Sequence, residues 1–202
     1  MAETVVKQET IPEQPQVAVK KLKKKWISIM ASADFNNTYL GETYVSEPEK
    51  AFGKSVQANL MNLVHDPKKQ NMVVTFTVVE VKNSQAKALL TGYEIPPAHV
   101  KRLTKRSKAK VEDSFEYVTS DKVKMEIKPI LMTRSETHKS KLTLLRLESR
   151  KFLNDVVKKE TFDQVMKGVL TGNLQRDLKL AIKKYHSLSA VIIRVARKIP
   201  HQ

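Results

Sequence analysis

Lysine and arginine are concentrated in four stretches of this 202-residue chain, namely 20–25, 101–110, 134–151 and 183–198. The first stretch holds five lysines and no acidic residue, and the whole chain has 37 Lys and Arg against 21 Asp and Glu, a net charge of +16. Each ammonium or guanidinium group neutralises a phosphate and releases condensed counterions, so the binding free energy grows with the number of contacts. The four stretches therefore predict a surface that binds nucleic acid.

Nucleic acid is favoured over an anionic membrane, because a membrane-binding helix exposes an apolar face that the helices predicted here need for a core. The sequence lacks the aromatic strand motif of single-strand RNA modules, so we expect contacts with the shape and phosphates of folded RNA. Trp26 and Tyr39 are candidates to stack on bases, although we expect Trp26 to pack in the core, since large aromatic side chains dominate buried area. The residues predicted to bind RNA are Lys20, Lys21, Lys23, Lys24, Lys25, Trp26, Lys101, Arg102, Lys105, Arg106, Lys108, Arg134, Lys139, Lys141, Arg146, Arg150, Lys183, Lys184, Arg194, Arg197 and Lys198.

Catalytic chemistry finds no support in the residue pattern. The five histidines include no i, i+4 pair of a helical zinc site, and the lack of cysteine excludes thiolate ligands and thiol nucleophiles. The segment Gly53–Ser55 resembles the end of a phosphate-binding P-loop, but the first glycine of that pattern would fall at Pro48, which has no N–H to donate. Carboxylates such as Glu112 and Asp113 are expected to balance nearby lysines. We expect no enzyme activity, no metal and no cofactor.

The elements that must position the basic residues are mainly strands up to about residue 133. The clearest strand covers 72–81, where Val74, Phe76 and Val78 share one face and the alternate residues are also suited to burial, which predicts a central strand. Other strands are predicted over 26–30, 40–45, 55–63 and 87–95, and a short helix over 98–105. Residues 110–119 and 122–133 are predicted to form the two strands of a hairpin, joined at 120–121, with one face basic and exposed to solvent.

After residue 140 the apolar period becomes helical. Residues 142, 145, 149, 152 and 156 predict a helix that runs to about residue 159. Thr161 and Gln164 form a capping-box pattern for the next helix, and Gly172 is placed where that helix ends. Asn173 is expected to cap a third helix. Segment 189–198 returns to a period of two, so it is predicted to rejoin the sheet.

This order of elements, many strands followed by helices without regular βαβ alternation, predicts an α+β fold. With 41% hydrophobic residues the chain can form a core. We expect residues 1–19 to be a flexible tail and residues 20–199 to form a single RNA-binding domain. That domain is predicted to be β-rich over 26–133 and helical over 141–186, with a closing strand over 189–198.

The order of several short motifs resembles the archaeal and eukaryotic small-subunit ribosomal protein family called S-one-e, or S-three-A-e. The resemblance runs from about residue 21 to residue 199. It rests on KKLKKKWISIMA, FNNTYLGETYVSEP, GKSVQANLMNL, TGYEI, YVTSDKVKMEI, LLRLESRKF and KKYHSLSAVIIRVARKI, in that order. Two positions depart from the family pattern, which usually has glycine in place of Lys122 and proline in place of Ser187.

The resemblance implies a barrel-like, mostly antiparallel β-domain with C-terminal helices packed beside it and a final strand returning to the sheet. It also implies a cytoplasmic, structural constituent of the small ribosomal subunit on the platform near the messenger exit. The implied partners are small-subunit ribosomal RNA and neighbouring ribosomal proteins, with messenger RNA at the exit as a further one and no membrane. The end at Gln202, without a long tail, is typical of an archaeal-type member.

Two alternatives stay open at this point. A free RNA-binding regulator or RNA chaperone would use the same basic chemistry. An RNA-processing enzyme would need converging carboxylates that hold magnesium, and the sequence reveals no such set.

Overall fold

A computed structural model describes residues 23–82, 84–104 and 108–199. The strands within these ranges are β1 Lys25–Met30, β2 Tyr39–Val45, β3 Ser55–Asn59, β4 Val73–Lys82, β5 Gln85–Glu94, β6 Lys110–Glu112, β7 Phe115–Val118, β8 Lys124–Thr133 and β9 Leu188–Lys198. The α-helices are α1 Leu60–Val64, α2 Pro97–Leu103, α3 Lys139–Val157, α4 Phe162–Thr171 and α5 Asn173–Lys183. The tail predicted over 1–19 lies outside the described residues.

All nine described strands belong to one mostly antiparallel sheet with the main order β2-β1-β5-β9-β8-β6. The strand β5 pairs with β4 along one edge, while its other edge is shared by β1 at 85–87 and β9 at 92–94. The pair β1 and β5 is parallel. The remaining strands complete the sheet at its margins, β3 on β4 and β7 on β8. The predicted α+β class is confirmed, but the described sheet is open and not a closed barrel, so the expectation of a barrel-like domain holds only loosely.

The core lies where the C-terminal helices meet the sheet. Helix α5 contacts both α3 and α4, and the three helices contact the strands β6, β7 and β9. Leu145, Leu153, Met166 and Leu178 on these helices are fully buried. Burying apolar side chains of this size contributes about 1.5–3 kcal/mol each, so the helices fix the position of β9 and of the short strands β6 and β7.

The strand β4 is buried on one side only. Val74, Phe76 and Val78 have at most 1% of their surface exposed, as predicted. Thr75 and Thr77 on the opposite side are half-buried. The prediction that both sides of this strand are buried is therefore wrong on the threonine side, because Thr75, Thr77 and Val79 line a surface cavity instead of packing against the core.

Local capping explains where other elements differ from prediction. The strand predicted over 55–63 ends early, because the side chain of Asn59 accepts a hydrogen bond from the Met61 N–H at 2.9 Å and begins α1. The capping box of Thr161 and Gln164 is confirmed, with both of its hydrogen bonds present. The expectation that Asn173 caps α5 is wrong, since Gly172 is the N-cap.

The predicted hairpin is confirmed, with one interruption in its first strand. Asp113 and Ser114 separate β6 from β7, and both strands pair with β8. The turn contains Lys122 with φ of +60°. No helix in the described part of the chain is long and apolar enough to cross a membrane.

Candidate nucleic-acid interface

The predicted RNA-binding residues fall in different surroundings on the surface. Lys20, Lys21, Lys105 and Arg106 lie outside the described residues. Among the described ones only Lys108 and Arg194 are half-buried, and all the others are exposed. Exposure leaves the charges available to a partner, so their distribution over the surface decides which of them can act together.

One group of these residues converges at the end of the sheet where β8 stops and β9 starts. The two strands pair as far as Thr133 and Leu188, and the Arg134 N–H then donates to the Ser187 carbonyl at 3.1 Å. The ammonium group of Lys108 donates to Ser189 Oγ at 2.9 Å. We call the resulting cluster the basic end, and it consists of Lys108, Arg134, Lys139, Lys141, Lys183 and Lys184.

The basic end combines three stretches that are far apart in sequence. Segments 134–141 and 183–184 together carry five Lys and Arg, and Glu136 is their only acidic residue. A hydrogen bond of 2.9 Å between Thr137 Oγ1 and His186 Nε2 joins the loop before α3 to the turn after α5. The fold thus brings the basic first turn of α3 close to the basic last turn of α5.

The first turn of α3 is unusual in its charge. Lys139 and Lys141 occupy it, no acidic residue is present there, and the side chain of His138 does not cap the helix. Cations at the positive end of a helix dipole are unfavourable by about 0.3–1 kcal/mol each. The same helix end offers open backbone N–H groups, which favour an anion. A phosphate group bound at this helix end would be stabilised by the lysines and by the backbone N–H groups, whereas the lysines destabilise the helix when no anion is bound.

Three predicted arginines instead bond to carboxylates of the sheet. Arg146 lies 2.8 Å from Asp113, Arg194 lies 3.1 Å from Glu112, and Arg197 lies 2.7 Å from Glu126. These acidic residues therefore balance basic side chains. Glu112 also pairs with Lys110, as predicted, whereas the partner of Asp113 is an arginine and not the expected lysine. Whether these arginines also contact RNA stays a prediction, and the basic end does not include them.

The carboxylate of Glu126 is held by three donors. Lys128 Nζ and Ser114 Oγ each lie 2.9 Å from Oε1, and Arg197 Nε lies 2.7 Å from Oε2. Burial opposes ionisation of this group, but hydrogen bonds from Lys128, Ser114 and Arg197 outweigh it and lower the pKa of Glu126. The pKa of Glu112 is likewise lowered, first by the hydrogen bond from Lys110.

The lysine-rich segment that leads into β1, residues 23–25, lies apart from the basic end. The strand β1 joins β5 at 85–87, whereas β9 joins the opposite half of β5 at 92–94. Lys23, Lys24 and Lys25 are exposed. The structure therefore divides the predicted RNA-binding residues into at least two separate basic surfaces.

Trp26 is exposed, which corrects the expectation that it packs in the core. Its exposed fraction is 62%, while its neighbours Ile27 and Ile29 are buried. Alternate residues of a strand point to opposite faces, so the burial of the isoleucines turns Trp26 outward. Tyr44 lies directly opposite on β2, with ring centroids 4.8 Å apart. Sequence reasoning missed Tyr44, since only the register of the two strands brings it to Trp26.

A family model described as the Ribosomal S3Ae family matches residues 15–199, which is most of the chain. The chain belongs to the ribosomal S3Ae family. This confirms the resemblance drawn from the order of the motifs. The S3Ae family consists of structural ribosomal proteins and not of enzymes, in agreement with the expected lack of catalysis.

Curated relatives of this S3Ae member come from archaea and carry the name small ribosomal subunit protein eS1. The relative from Nanoarchaeum equitans is 28% identical over 164 residues, which cover 81% of this chain and 83% of the relative. The relative from Natronomonas pharaonis is 25% identical over 181 residues, covering 90% and 88%. The relative from Methanothermobacter thermautotrophicus is 24% identical over 174 residues, covering 86% and 89%.

One departure from the S3Ae pattern has a clear structural counterpart. Lys122 stands where the resemblance expects glycine, and its φ of +60° lies in the left-handed region that favours glycine. The turn geometry is therefore kept and only the residue type differs. The described ranges contain no group of three or more side chains suited to a metal ion.

Proposed function

We propose that this chain is a structural component of the small ribosomal subunit, in the cytoplasm, and that it binds folded small-subunit ribosomal RNA through phosphates. The names of its relatives support the first part. The observation that carries the second part is the basic end, where residues from three distant stretches meet. We place the protein on the platform near the messenger exit, with neighbouring ribosomal proteins and messenger RNA as further partners.

The positive charges of the basic end contribute little to the stability of the folded protein. Like charges on neighbouring loops repel, and Lys139 and Lys141 also oppose the dipole of α3. Lys183 in the last turn of α5 suits its own helix dipole, but Arg134 and Lys184 lie beyond the strand and the helix that precede them. Binding of a polyanionic partner would neutralise these charges and relieve their repulsion, which would contribute to the free energy of binding.

The test compares two variants of equal charge in their binding to purified small-subunit RNA over a range of salt concentrations. The first variant replaces Arg134, Lys139, Lys183 and Lys184 of the basic end by Gln. The control replaces four exposed lysines outside the predicted set by Gln, and these are Lys50, Lys68, Lys82 and Lys158.

We expect the basic-end variant to bind more weakly and to lose up to about 2.8–3.6 from the slope of log K against log salt, since each of four phosphate contacts contributes about 0.7–0.9. The control should keep nearly the original affinity and slope. Equal losses in the two variants would mean that net charge alone governs binding. That result would contradict a phosphate site at the basic end.

A further inference from the structure

The outer face of β1 and β2 exposes three large aromatic side chains. Trp26 is 62% exposed, Tyr44 is 50% exposed and Tyr39 is 55% exposed. Aromatic rings of this size are usually well buried, because they supply much of the apolar area in a core. Exposed aromatic residues grouped on one face commonly mark a binding site.

The rings of Trp26 and Tyr44 form a preorganised pair. They occupy directly opposite positions on the two strands, and their planes are inclined by 36° at a centroid distance of 4.8 Å. Such cross-strand aromatic contacts stabilise a strand pair by roughly 0.2–1 kcal/mol. Contact between the two rings restricts their rotamers, so a ligand that stacks on either ring would lose little further side-chain entropy.

The hydrophobic core does not depend on these two rings. Ile27, Ile29 and Val45 provide the buried positions of the same two strands. More than half of the Trp26 surface and half of the Tyr44 surface still face solvent after folding. Their large aromatic area is therefore available to a partner.

A lysine side chain lies close to the aromatic pair at one end of this face. The Lys24 ammonium lies 5.6 Å from the centroid of the Tyr44 ring, and Lys23 and Lys25 are exposed beside it. Glu42, opposite Ser28, is exposed between the Trp26–Tyr44 pair and Tyr39, so the basic part of this face is the end with Trp26 and Tyr44. Stacking rings next to lysines match a nucleobase and its phosphates, and this match holds only at the end with Trp26 and Tyr44.

We propose that Trp26 and Tyr44 form a stacking site for an unpaired nucleobase of RNA, with Lys24 beside it to hold a flanking phosphate. This inference rests on the proposed function, in which RNA is the partner. It adds a second kind of contact, because the basic end binds phosphates whereas this site binds a base. Stacking tolerates any base, so the site recognises single-stranded character and not a sequence.

The single tryptophan of the chain makes the test direct, since selective excitation of tryptophan reports on Trp26 alone. The full-length protein is titrated with a single-stranded oligoadenylate and with an abasic ribose-phosphate strand of the same length. We expect the oligoadenylate to bind more tightly and to quench the fluorescence, whereas the abasic strand binds by charge alone and leaves the fluorescence nearly unchanged.

Substitutions separate stacking from charge. Tyr44→Ala should weaken oligoadenylate binding by about 5- to 150-fold, the range that corresponds to the loss of one stacking contact, and should barely affect the abasic strand. Lys24→Ala should weaken both strands to a similar degree. The matched control is Phe52→Ala, because Phe52 is 64% exposed outside this face and should not change binding. Thermal unfolding of each variant checks that the fold is kept.

Three outcomes would overturn the stacking site. If the two strands bind equally and Tyr44→Ala changes nothing while small-subunit RNA still binds in a salt-dependent way, the proposed function stands and the stacking site fails. If no RNA binds at any salt concentration, both fail together. If the fluorescence changes only when purified small-subunit ribosomal proteins are added without RNA, the face binds protein and not a base.

Discussion

The hydroxyl of Thr137 lies 2.9 Å from Nε2 of His186, across a sequence separation of 49 residues. This hydrogen bond fastens the loop before α3 to the turn before β9. Both segments carry residues of the basic end, namely Arg134 and Lys139 on one side and Lys184 on the other. The contact therefore helps to hold two groups of like charges together in the absence of RNA.

Removing this contact should loosen the basic end. The Thr137 hydroxyl also donates to the Ser135 carbonyl at 3.2 Å, so Thr137→Val removes two hydrogen bonds. We expect it to lower the free energy of unfolding by roughly 1–3 kcal/mol, about 0.5–1.5 kcal/mol for each bond, and to weaken binding to small-subunit RNA. Chemical denaturation and RNA titration measure the two effects. Thr143→Val is the control, since the Thr143 hydroxyl bonds only to its own helix at Lys139. Equal effects of both substitutions would contradict a specific role for Thr137.

Lys122 occupies a backbone conformation that suits glycine. The left-handed conformation destabilises a residue that has a side chain by about 1–2 kcal/mol, and substitution by glycine removes this strain. Glycine also makes the unfolded chain more flexible, which offsets part of the gain in stability. We expect Lys122→Gly to raise the free energy of unfolding by roughly 0.5–1 kcal/mol. Lys124→Gly, two residues later in β8, should lower it instead. A loss of stability in Lys122→Gly would contradict the turn geometry described here.

The carboxylate of Glu126 should make stability depend on pH in a defined direction. Its pKa is lowered in the folded protein, so its stabilisation is present above the ordinary carboxyl pKa of 4.5 and is lost as the pH falls through the folded value. We expect Glu126→Gln to cost roughly 1–3 kcal/mol near neutral pH, and the cost should shrink in acid.

Denaturation of wild type and Glu126→Gln at several pH values measures this difference. Glu94→Gln serves as the control, because Glu94 is exposed and lies outside the ion pairs of the described chain. A difference that stayed constant from neutral pH into acid would show that the ionised carboxylate is not the source of the stabilisation.

Sedimentation of a cell extract separates the ribosomal component from a free RNA-binding regulator. We expect most of the protein to sediment with small subunits at low salt and to be released progressively as salt rises, since phosphate contacts weaken with salt. The distribution is measured by immunoblotting of the gradient fractions. A protein found mainly at the top of the gradient at low salt would favour the regulator.

Local features of the fold were predictable from the sequence, while the sites were predictable only in part. The capping box of Thr161 and Gln164 lies within four residues, so the pattern alone identifies the start of α4. The outward position of Trp26 was not predictable, because both faces of β1 carry apolar residues and only the assembled sheet decides which one meets the core. For example, Met30 lies on the same face of β1 as Trp26, whereas Ile29 lies on the opposite face.

The basic end illustrates the same limit over longer distances. Its members were identified as basic residues, but their convergence depends on the pairing of Thr133 with Leu188, which joins β8 to a strand 55 residues later. Sequence patterns report local periodicity and do not report which strands become neighbours. The division of the basic residues into at least two surfaces is for that reason not predictable from the sequence.

A structure of the assembled small subunit would show whether the basic end contacts ribosomal RNA. The quantity to measure is the distance from the side-chain nitrogens of Arg134, Lys139, Lys183 and Lys184 to the nearest ribosomal RNA phosphate oxygens. We predict that most of these distances fall within about 4 Å, the range of an ion pair. If these side chains point into bulk solvent or contact only protein, the basic end is not a phosphate-binding surface, which contradicts the proposed mode of RNA binding.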